Sequence, residues 1–370
     1  MTVVALNAGS SSLKYAVFGD TERAEGDAVL RGVFDRIGSG GLADHAAAVH
    51  AVLDELDRRG LERPRVVGHR LVHGGPAHTE PTIVDDALIA ALQDAVPFAP
   101  LHLPIELAAI AAVRVRFADI PQVVCFDTGF HRTLPELVRR FPLPAAWLGA
   151  GIRRYGFHGL SFEYLATSLP AARLRRAVFA HLGNGASMVA VRDGRSIDTT
   201  MGLTPTGGLV MGTRSGDLDP GLLLYLLDHG CDTRQLAHLV DHDAGLLAIS
   251  ETTSDMQRLL ELRATEPRAA LAIDVFCYHA RKAIGALAAV LGGIETLVFT
   301  GGIGEHAAPI RFEICRGLEH LGIALDDARN STGAPIIGQG RCEVHVIRTD
   351  EERMIARHAR RLVPSSGSQT

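Results

Sequence analysis

Cysteine is sparse and unpatterned in this 370-residue chain: Cys125, Cys231, Cys277, Cys315 and Cys342 show no CxxC spacing. Neither a zinc site nor a disulfide framework is indicated, and a reducing, cytoplasmic setting is expected. Long apolar runs are missing as well. The longest, Ala283 to Ile294, follows Arg281-Lys282 and is too short to cross a bilayer, so it reads as a buried helix. Positive charge is not in excess. With a net charge of −5 the chain has no global pull toward nucleic acid or an acidic membrane, and an anionic substrate must be held by a few local cations. The opening residues Met1 to Leu6 have no basic n-region and read as a first strand. No Pro/Ser-rich linker and no clear internal sequence repeat marks a domain boundary.

What is present is a soluble globular composition, 47% apolar and 21% charged. The length allows two or three domains with ample core. The chain is organised around Tyr155 to Pro220, where glycine-rich turns alternate with short apolar runs. There Phe179 to Leu182 breaks into Gly183-Asn184-Gly185-Ala186-Ser187. Glycines after a strand let the backbone turn sharply and approach a ligand, and several amides can then converge on one anion. A plain hairpin turn would look the same locally, but the move is made twice more.

The first repetition follows the strand Val3 to Leu6, in Asn7-Ala8-Gly9-Ser10-Ser11-Ser12-Leu13-Lys14, and a second strand, Tyr15 to Phe18, comes after it. A turn between two strands is not a Walker loop, which needs GxxxxGK[ST] before a helix. Small hydroxyls and a lysine can still close over phosphates, or form a polar hairpin. The second repetition is Thr296 to Thr300 meeting Gly301-Gly302-Ile303-Gly304-Glu305-His306. Arg70 stands at a strand end before Gly74-Gly75, placed for an anion or simply for solvent. Asp127 follows the apolar strand Gln122 to Phe126, where open α/β sheets put catalytic groups and where a helix N-cap can also sit. His158, His181, Asp198-Thr199-Thr200 and Arg214 lie in the central block. Helices are expected over Asp44 to Arg59, from Pro104 to about Phe117, over Pro220 to His229 and Pro267 to Gly293, and over a final basic stretch capped at Thr349-Asp350-Glu351-Glu352. The tail Pro364 to Thr370 is expected to be disordered. Strands precede helices in two successive sets, which argues for two α/β domains with a cleft between them.

Together these strings resemble the acetate kinase family, and the resemblance covers nearly the whole chain. It runs from NAGSSSLK through HRLVHGG, APLH, FDTGFH, YGFHGLS, HLGNGAS, DTTMGLTP, MGTRSGDLDP and FTGGIGEH to the terminal TDEE. It implies the α/β fold shared by acetate and sugar kinases, Hsp70 and actin: two RNase H-like domains with a nucleotide cleft between them. Their expected extents are residues 1–130 plus the C-terminal helix 352–370, and residues 131–351. The implied activity is acetate kinase, reversible transfer of the ATP γ-phosphoryl group to acetate with Mg²⁺ or Mn²⁺, in a cytoplasmic homodimer that binds neither nucleic acid nor membrane. Carried onto this sequence, Arg70 and Arg214 would hold the carboxylate and the transferring phosphoryl group. His158 would donate to the transition state with His102 and His181 nearby, and Asp127 would orient the acid and the metal shell. Asn7 and Glu351 would place the metal. Ser10, Ser12, Lys14, His181, Leu182, Gly183, Asn184 and Gly185 would contact phosphates. Asp255, Met256, Gln257, Gly301, Gly302, Ile303, Gly304 and His306 would form the adenosine side. Val72, Leu101, Phe157 and Pro205 would surround the acetate methyl group.

The chain also departs from the family pattern. The segment between Lys14 and His69 is shorter than usual, Phe162 replaces a histidine, Leu103 and Asp350 stand where asparagine is common, and Gln257 where arginine is. None removes a residue assigned to the chemistry. Pocket width and nucleotide preference stay open, so a propionate or other short-chain acid kinase is the nearest alternative. A non-enzymatic nucleotide switch on the same fold is a remote one, because it has no use for convergent Arg70, Arg214 and His158.

Overall fold

The computed structural model describes residues 2–9, 11–19, 27–38, 40–149 and 151–364. Ser10 and all of the expected tail except Pro364 lie outside these residues. Along the chain come β1 (Val3–Ala8), β2 (Leu13–Phe18), β3 (Leu30–Phe34), α1 (His45–Arg58), β4 (Val66–Leu71), β5 (Thr82–Ile83), α2 (Asp86–Asp94), α3 (Leu103–Arg116) and β6 (Gln122–Phe126). Next are α4 (Glu136–Arg139), α5 (Ala145–Leu148), α6 (Gly159–Ser168), β7 (Ala177–Leu182), β8 (Ala186–Arg192) and β9 (Arg195–Thr199). A helical stretch comes after them: α7 (Pro220–Asp228), α8 (Thr233–His242), α9 (Gly245–Ser250), α10 (Met256–Leu262) and α11 (Pro267–Leu291). The last elements are β10 (Thr296–Thr300), α12 (Gly301–His306), α13 (Ala308–Cys315), α14 (Asp327–Thr332), β11 (Glu343–Val346) and α15 (Glu351–Leu362).

The chain divides into two compact units, residues 1–129, 159–164 and 350–370 in the first, 130–158 and 165–349 in the second. Among the described residues the first unit holds a six-stranded sheet in the order β3-β2-β1-β4-β6-β5, and the second a five-stranded sheet in the order β11-β10-β7-β8-β9. In each, an antiparallel meander of three strands (β1 to β3, β7 to β9) is followed by strands added parallel on the other side of its first strand. The two orders therefore match strand for strand, apart from the extra edge strand β5. This is the two-part α/β architecture that the resemblance implies.

In the first unit, β1, β4 and β6 are buried along most of their length because helices cover both faces, as parallel strands require. Val4, Leu6 and Ala8 join Val49, Val52, Leu53 of α1 and Ala109, Val113 of α3 in one core cluster. Val3 and Ala5 join Met354, Ile355 and Ala359 of α15 in the cluster on the other face. Gly68 of β4 permits this second packing: a Cβ there would collide with the Ile355 side chain. The helix α15 starts where it does because the Asp350 side chain accepts the Arg353 amide at 3.0 Å. Asp350 also binds Arg31 at 2.5 Å. Leu103 and Phe162, two more departures from the family strings, are fully buried. All three departures thus serve packing or capping here.

Candidate active site

The carboxyl ends of β1, β4 and β6 lie side by side, since Leu6 pairs with His69, and Arg70 with Cys125, in parallel register. Asn7, Arg70 and Asp127 are thereby set in a row at one end of the first unit's sheet, the side where open α/β sheets place their chemistry. Lys14 lies directly opposite Asn7 across the β1–β2 hairpin. Arg70 donates from Nε to Asp127 Oδ1 at 3.0 Å and from Nη2 to Asp127 Oδ2 at 2.5 Å, a fork closed on a carboxylate that is only 1% exposed. Its Nη1 donates to the Ala8 carbonyl at 3.2 Å. Burial works against the charge of Arg70, but Asp127 foremost, with Glu351, outweighs it and holds the guanidinium firmly protonated.

Asn7 links this row to α15. Its Nδ2 donates to Glu351 Oε2 at 2.8 Å and to Glu352 Oε1 at 2.9 Å. Burial and the neighbouring Glu351 charge push the Glu352 carboxyl above its ordinary range. The first glycine-serine turn is a hairpin turn, closed by the Gly9 amide on the Ser12 carbonyl at 2.8 Å, with His45 Nε2 donating to the Gly9 carbonyl at 2.8 Å. His102 stands at the start of α3, Val72 is buried just past β4, and Leu101 is exposed.

The second unit gathers its own set around the turn between β7 and β8. That turn too is a hairpin, Leu182 pairing with Ala186 and the Gly183 amide reaching the Gly185 carbonyl at 3.0 Å. His158 and Arg214 stand over it: a Cβ on Gly185 would lie 2.8 Å from Arg214 Nη2 and 3.4 Å from His158 Nε2. The His158 ring stacks on His181 with centroids 4.2 Å apart, and its Nδ1 is 2.8 Å from Ser187 Oγ. His158 takes a left-handed backbone (φ 58°), uncommon for a residue with a side chain. Arg214 is aimed by Nη1 on the Pro205 carbonyl at 2.6 Å, and its loop is tied to the turn by the Gly212 amide on the Asn184 carbonyl at 3.0 Å.

The third glycine turn lies beside the second, because Thr300 pairs with His181. It differs in kind: Gly301 to Gly304 open the short helix α12, and Glu305 Oε1 accepts the Gly301 amide at 3.0 Å. Ile303 is half-buried and His306 is exposed. Asp255 caps α10 by accepting the Gln257 amide at 2.9 Å, with Met256 buried and Gln257 exposed. Phe157 is buried near His158, and His131 Nε2 donates to the Phe157 carbonyl at 2.9 Å.

A model of the acetokinase family matches residues 2–357. The chain belongs to the acetokinase family. It is 40% identical over 402 residues to an acetate kinase of Nitrobacter hamburgensis, covering 100% of this chain and 98% of that one. Its fold is similar to the crystal structure of Porphyromonas gingivalis acetate kinase, with a TM-score of 0.87, 34% identity, and 98% and 99% of the two chains covered. It is also similar to that of a propionate kinase from Francisella tularensis, with a TM-score of 0.90, 32% identity, and 97% and 99% covered. Membership makes the chain an enzyme, a kinase of the acetate kinase family. No helix among the described residues is long and apolar enough to cross a membrane.

Three residues beside these groups had no role assigned from the sequence. Ser187 holds the His158 ring and Glu352 shares Asn7 with Glu351. Glu106, 2% exposed on α3, accepts the Val72 amide at 3.1 Å on each oxygen. The periodicity carried a signal for Glu106: it occupies the helical stripe of Leu103, Ile110 and Val113, all fully buried, where a carboxylate is rare unless it has partners.

Proposed function

We propose that this acetokinase-family enzyme transfers the γ-phosphoryl group of ATP reversibly to acetate, giving ADP and acetyl phosphate by direct in-line displacement. A carboxylate oxygen of the acid attacks phosphorus, and the bond to the β-phosphate oxygen breaks with its electron pair leaving on ADP. No covalent enzyme intermediate is needed, so the protein's task is positioning and charge neutralisation. The observation that supports this best is the pairing of Arg214 and His158 over the Gly185 turn. A Ser187 hydroxyl donating to Nδ1 leaves the His158 hydrogen on Nε2, the atom nearest Gly185 and able to donate to an equatorial phosphoryl oxygen. The Gly183–Gly185 amides would take the phosphates, Asp255 to Gln257 with Gly301 to Gly304 the adenosine. In the first unit Asp127 fixes the plane of Arg70; with Nη1 given to the Ala8 carbonyl and Asn7 Oδ1, the second Nη2 hydrogen would hold the acid's carboxylate. Val72 and Leu101 of the same unit would face the methyl group.

Magnesium, or manganese, would be held by Glu351 and Asn7, and when bound it would neutralise charge on the β- and γ-phosphates. Among the described residues no group of three or more His, Cys, Asp or Glu could hold a metal. An Mg²⁺ site needs no such cage, because the ion takes one or two carboxylates and fills its remaining positions with phosphate and water oxygens. Glu351 would supply the carboxylate, and Asn7, which here donates its Nδ2 to Glu351 at 2.8 Å, would have to turn its Oδ1 toward the ion. We also infer a cytoplasmic location and a homodimer, the latter supported by exposed Leu224 and Tyr225 on α7, apolar surface that association would cover.

The test is hydroxylamine trapping of acyl phosphate formed from ATP and a series of acids. Acetyl hydroxamate is expected, and absence of product with every acid would overturn the assignment. The likeness to a propionate kinase keeps propionate as the second substrate to compare, since one methylene changes pocket binding by only about 1–3 kcal/mol. The ratio of kcat/KM for the two acids decides between them.

A further inference from the structure

Glu106 is the buried acid that the phosphoryl-transfer mechanism does not use. Its two oxygens share a single amide, that of Val72, at 3.1 Å each. A carboxylate can accept about four hydrogen bonds, so this one is thinly provided for. The charged groups that act on it are Arg70 from β4, favouring its charge, and Asp127 from the end of β6, opposing it. From its own helix, His102 precedes it by one turn, giving its carbonyl to the Glu106 amide at 3.0 Å. Packed against α3, α1 contributes apolar Val49, Val52 and Leu53, and α2 buries Leu88 and Leu92.

We propose that Glu106 is a positioning residue with two effects on carboxylate binding: it fixes the backbone of Val72, and by gaining or losing a proton it sets the charge that an anionic acid meets at Arg70. Arg70 is already neutralised by Asp127, with Glu351 also acting on it. A further ionised carboxylate in the same water-poor setting makes the surroundings of the guanidinium more negative, and an incoming acetate is then repelled. Burial is the main influence on Glu106 and pushes its carboxyl up to about 8 against the opposing pull of Arg70. Near neutral pH the group is therefore mostly protonated and Arg70 can accept a substrate carboxylate. In alkali Glu106 ionises and acid binding weakens.

This proposal rests on the carboxylate kinase reading, and the experiment separates the two. KM for acetate and KM for Mg-ATP are measured from about pH 6.5 to about pH 9 in wild type, Glu106→Gln and Glu106→Leu. Acetate affinity is measured in parallel by calorimetry. In wild type, KM for acetate should rise by about threefold or more across this range, beyond any rise in KM for Mg-ATP, as expected for a titration centred near 8. Glu106→Gln, which can still accept the Val72 amide but carries no charge, should lose that excess rise. Glu106→Leu, which accepts nothing, should raise KM for acetate at every pH, and Glu106→Gln should reverse most of that increase. Identical pH profiles in wild type and Glu106→Gln overturn the proposal, whether read by kinetics or by calorimetry. If wild type forms no acyl phosphate, the activity reading fails on its own and the calorimetric comparison still decides the role of Glu106.

Discussion

Replacing Arg70 by alanine should damage stability and activity by separable amounts. In the folded first unit the guanidinium donates to both oxygens of Asp127, at 3.0 and 2.5 Å. Asp127 is 1% exposed, so the variant leaves a buried carboxylate without its cation, beside Glu106 and with Glu351 close by in charge. Removing one partner of a buried ion pair costs about 3–5 kcal/mol, whereas removing both often costs far less. Urea unfolding of Arg70→Ala should therefore show a loss of that size, and the Arg70→Ala, Asp127→Ala double variant should recover at least about half of it. Activity should behave differently. If Arg70 binds the acid's carboxylate, kcat for acetyl phosphate formation falls at least about a hundredfold, on the order of 3 kcal/mol of transition-state stabilisation, and the double variant recovers none of it. Arg70→Lys keeps the charge without the fork, so it should protect stability more than activity. Near wild-type kcat in Arg70→Ala, or activity returning together with stability in the double variant, would refute the assignment of Arg70 to the chemistry.

Gly185→Ala should lower kcat with little loss of stability: its Cβ would stand 2.8 Å from the flexible end of Arg214, which must swing away, and an unchanged kcat would argue against Arg214 acting at this turn. Acid should destabilise the fold through His69 and His131, both held down to about 4 by burial from an ordinary value of 6.5. The unfolded chain binds these protons first, so stability is full above about pH 6.5 and is lost as pH falls toward about 4; His69→Asn should flatten part of that decline in urea midpoints. Gln257 is exposed and uncharged, and the adjacent Arg258 is paired with Glu261 at 2.6 Å, so weak base discrimination is expected, with GTP within about tenfold of ATP in kcat/KM, a difference near 1.4 kcal/mol. A wild-type preference for ATP beyond about a hundredfold, unchanged in Gln257→Arg, would remove Gln257 from base choice.

How much of this was legible in the sequence depended on whether a feature is local. Gln122 to Phe126 and Thr296 to Thr300 read as strands and are β6 and β10 residue for residue, because continuous β-branched and aromatic runs have few other uses. The start of α15 was equally plain, since an N-cap aspartate acts on its own first turn. The glycine turns were visible as strings, but their kind was only partly so. The first and second are hairpin turns while the third opens a helix, a distinction set by the element into which each turn leads. Pairings across the chain came only through the resemblance, which put Asn7 with Glu351 at a metal; that Asn7 also meets Glu352 follows from the packing of β1 against α15, and nothing near Asn7 encodes it.

The matching strand orders of the two units show why no sequence repeat was seen. A buried strand asks only for apolar residues over the right length, so β1 and β7 can hold the same place in their sheets with unrelated sequences. What differs is the chemistry carried at the carboxyl ends. The first unit presents charged and amide side chains there, Asn7, Arg70 and Asp127, each held by another side chain. The second presents glycine turns, Gly183 to Gly185, over which His158 and Arg214 stand, and beside it Gly301 to Gly304. On the proposed reading, side chains that would discriminate a small acid and backbone that would cradle phosphates are different demands, carried by one topology used twice. Glu106 belongs to the first kind. Its single visible mark is a charge in an apolar stripe, and that mark acquires meaning only when Val72 and Arg70 are placed beside it.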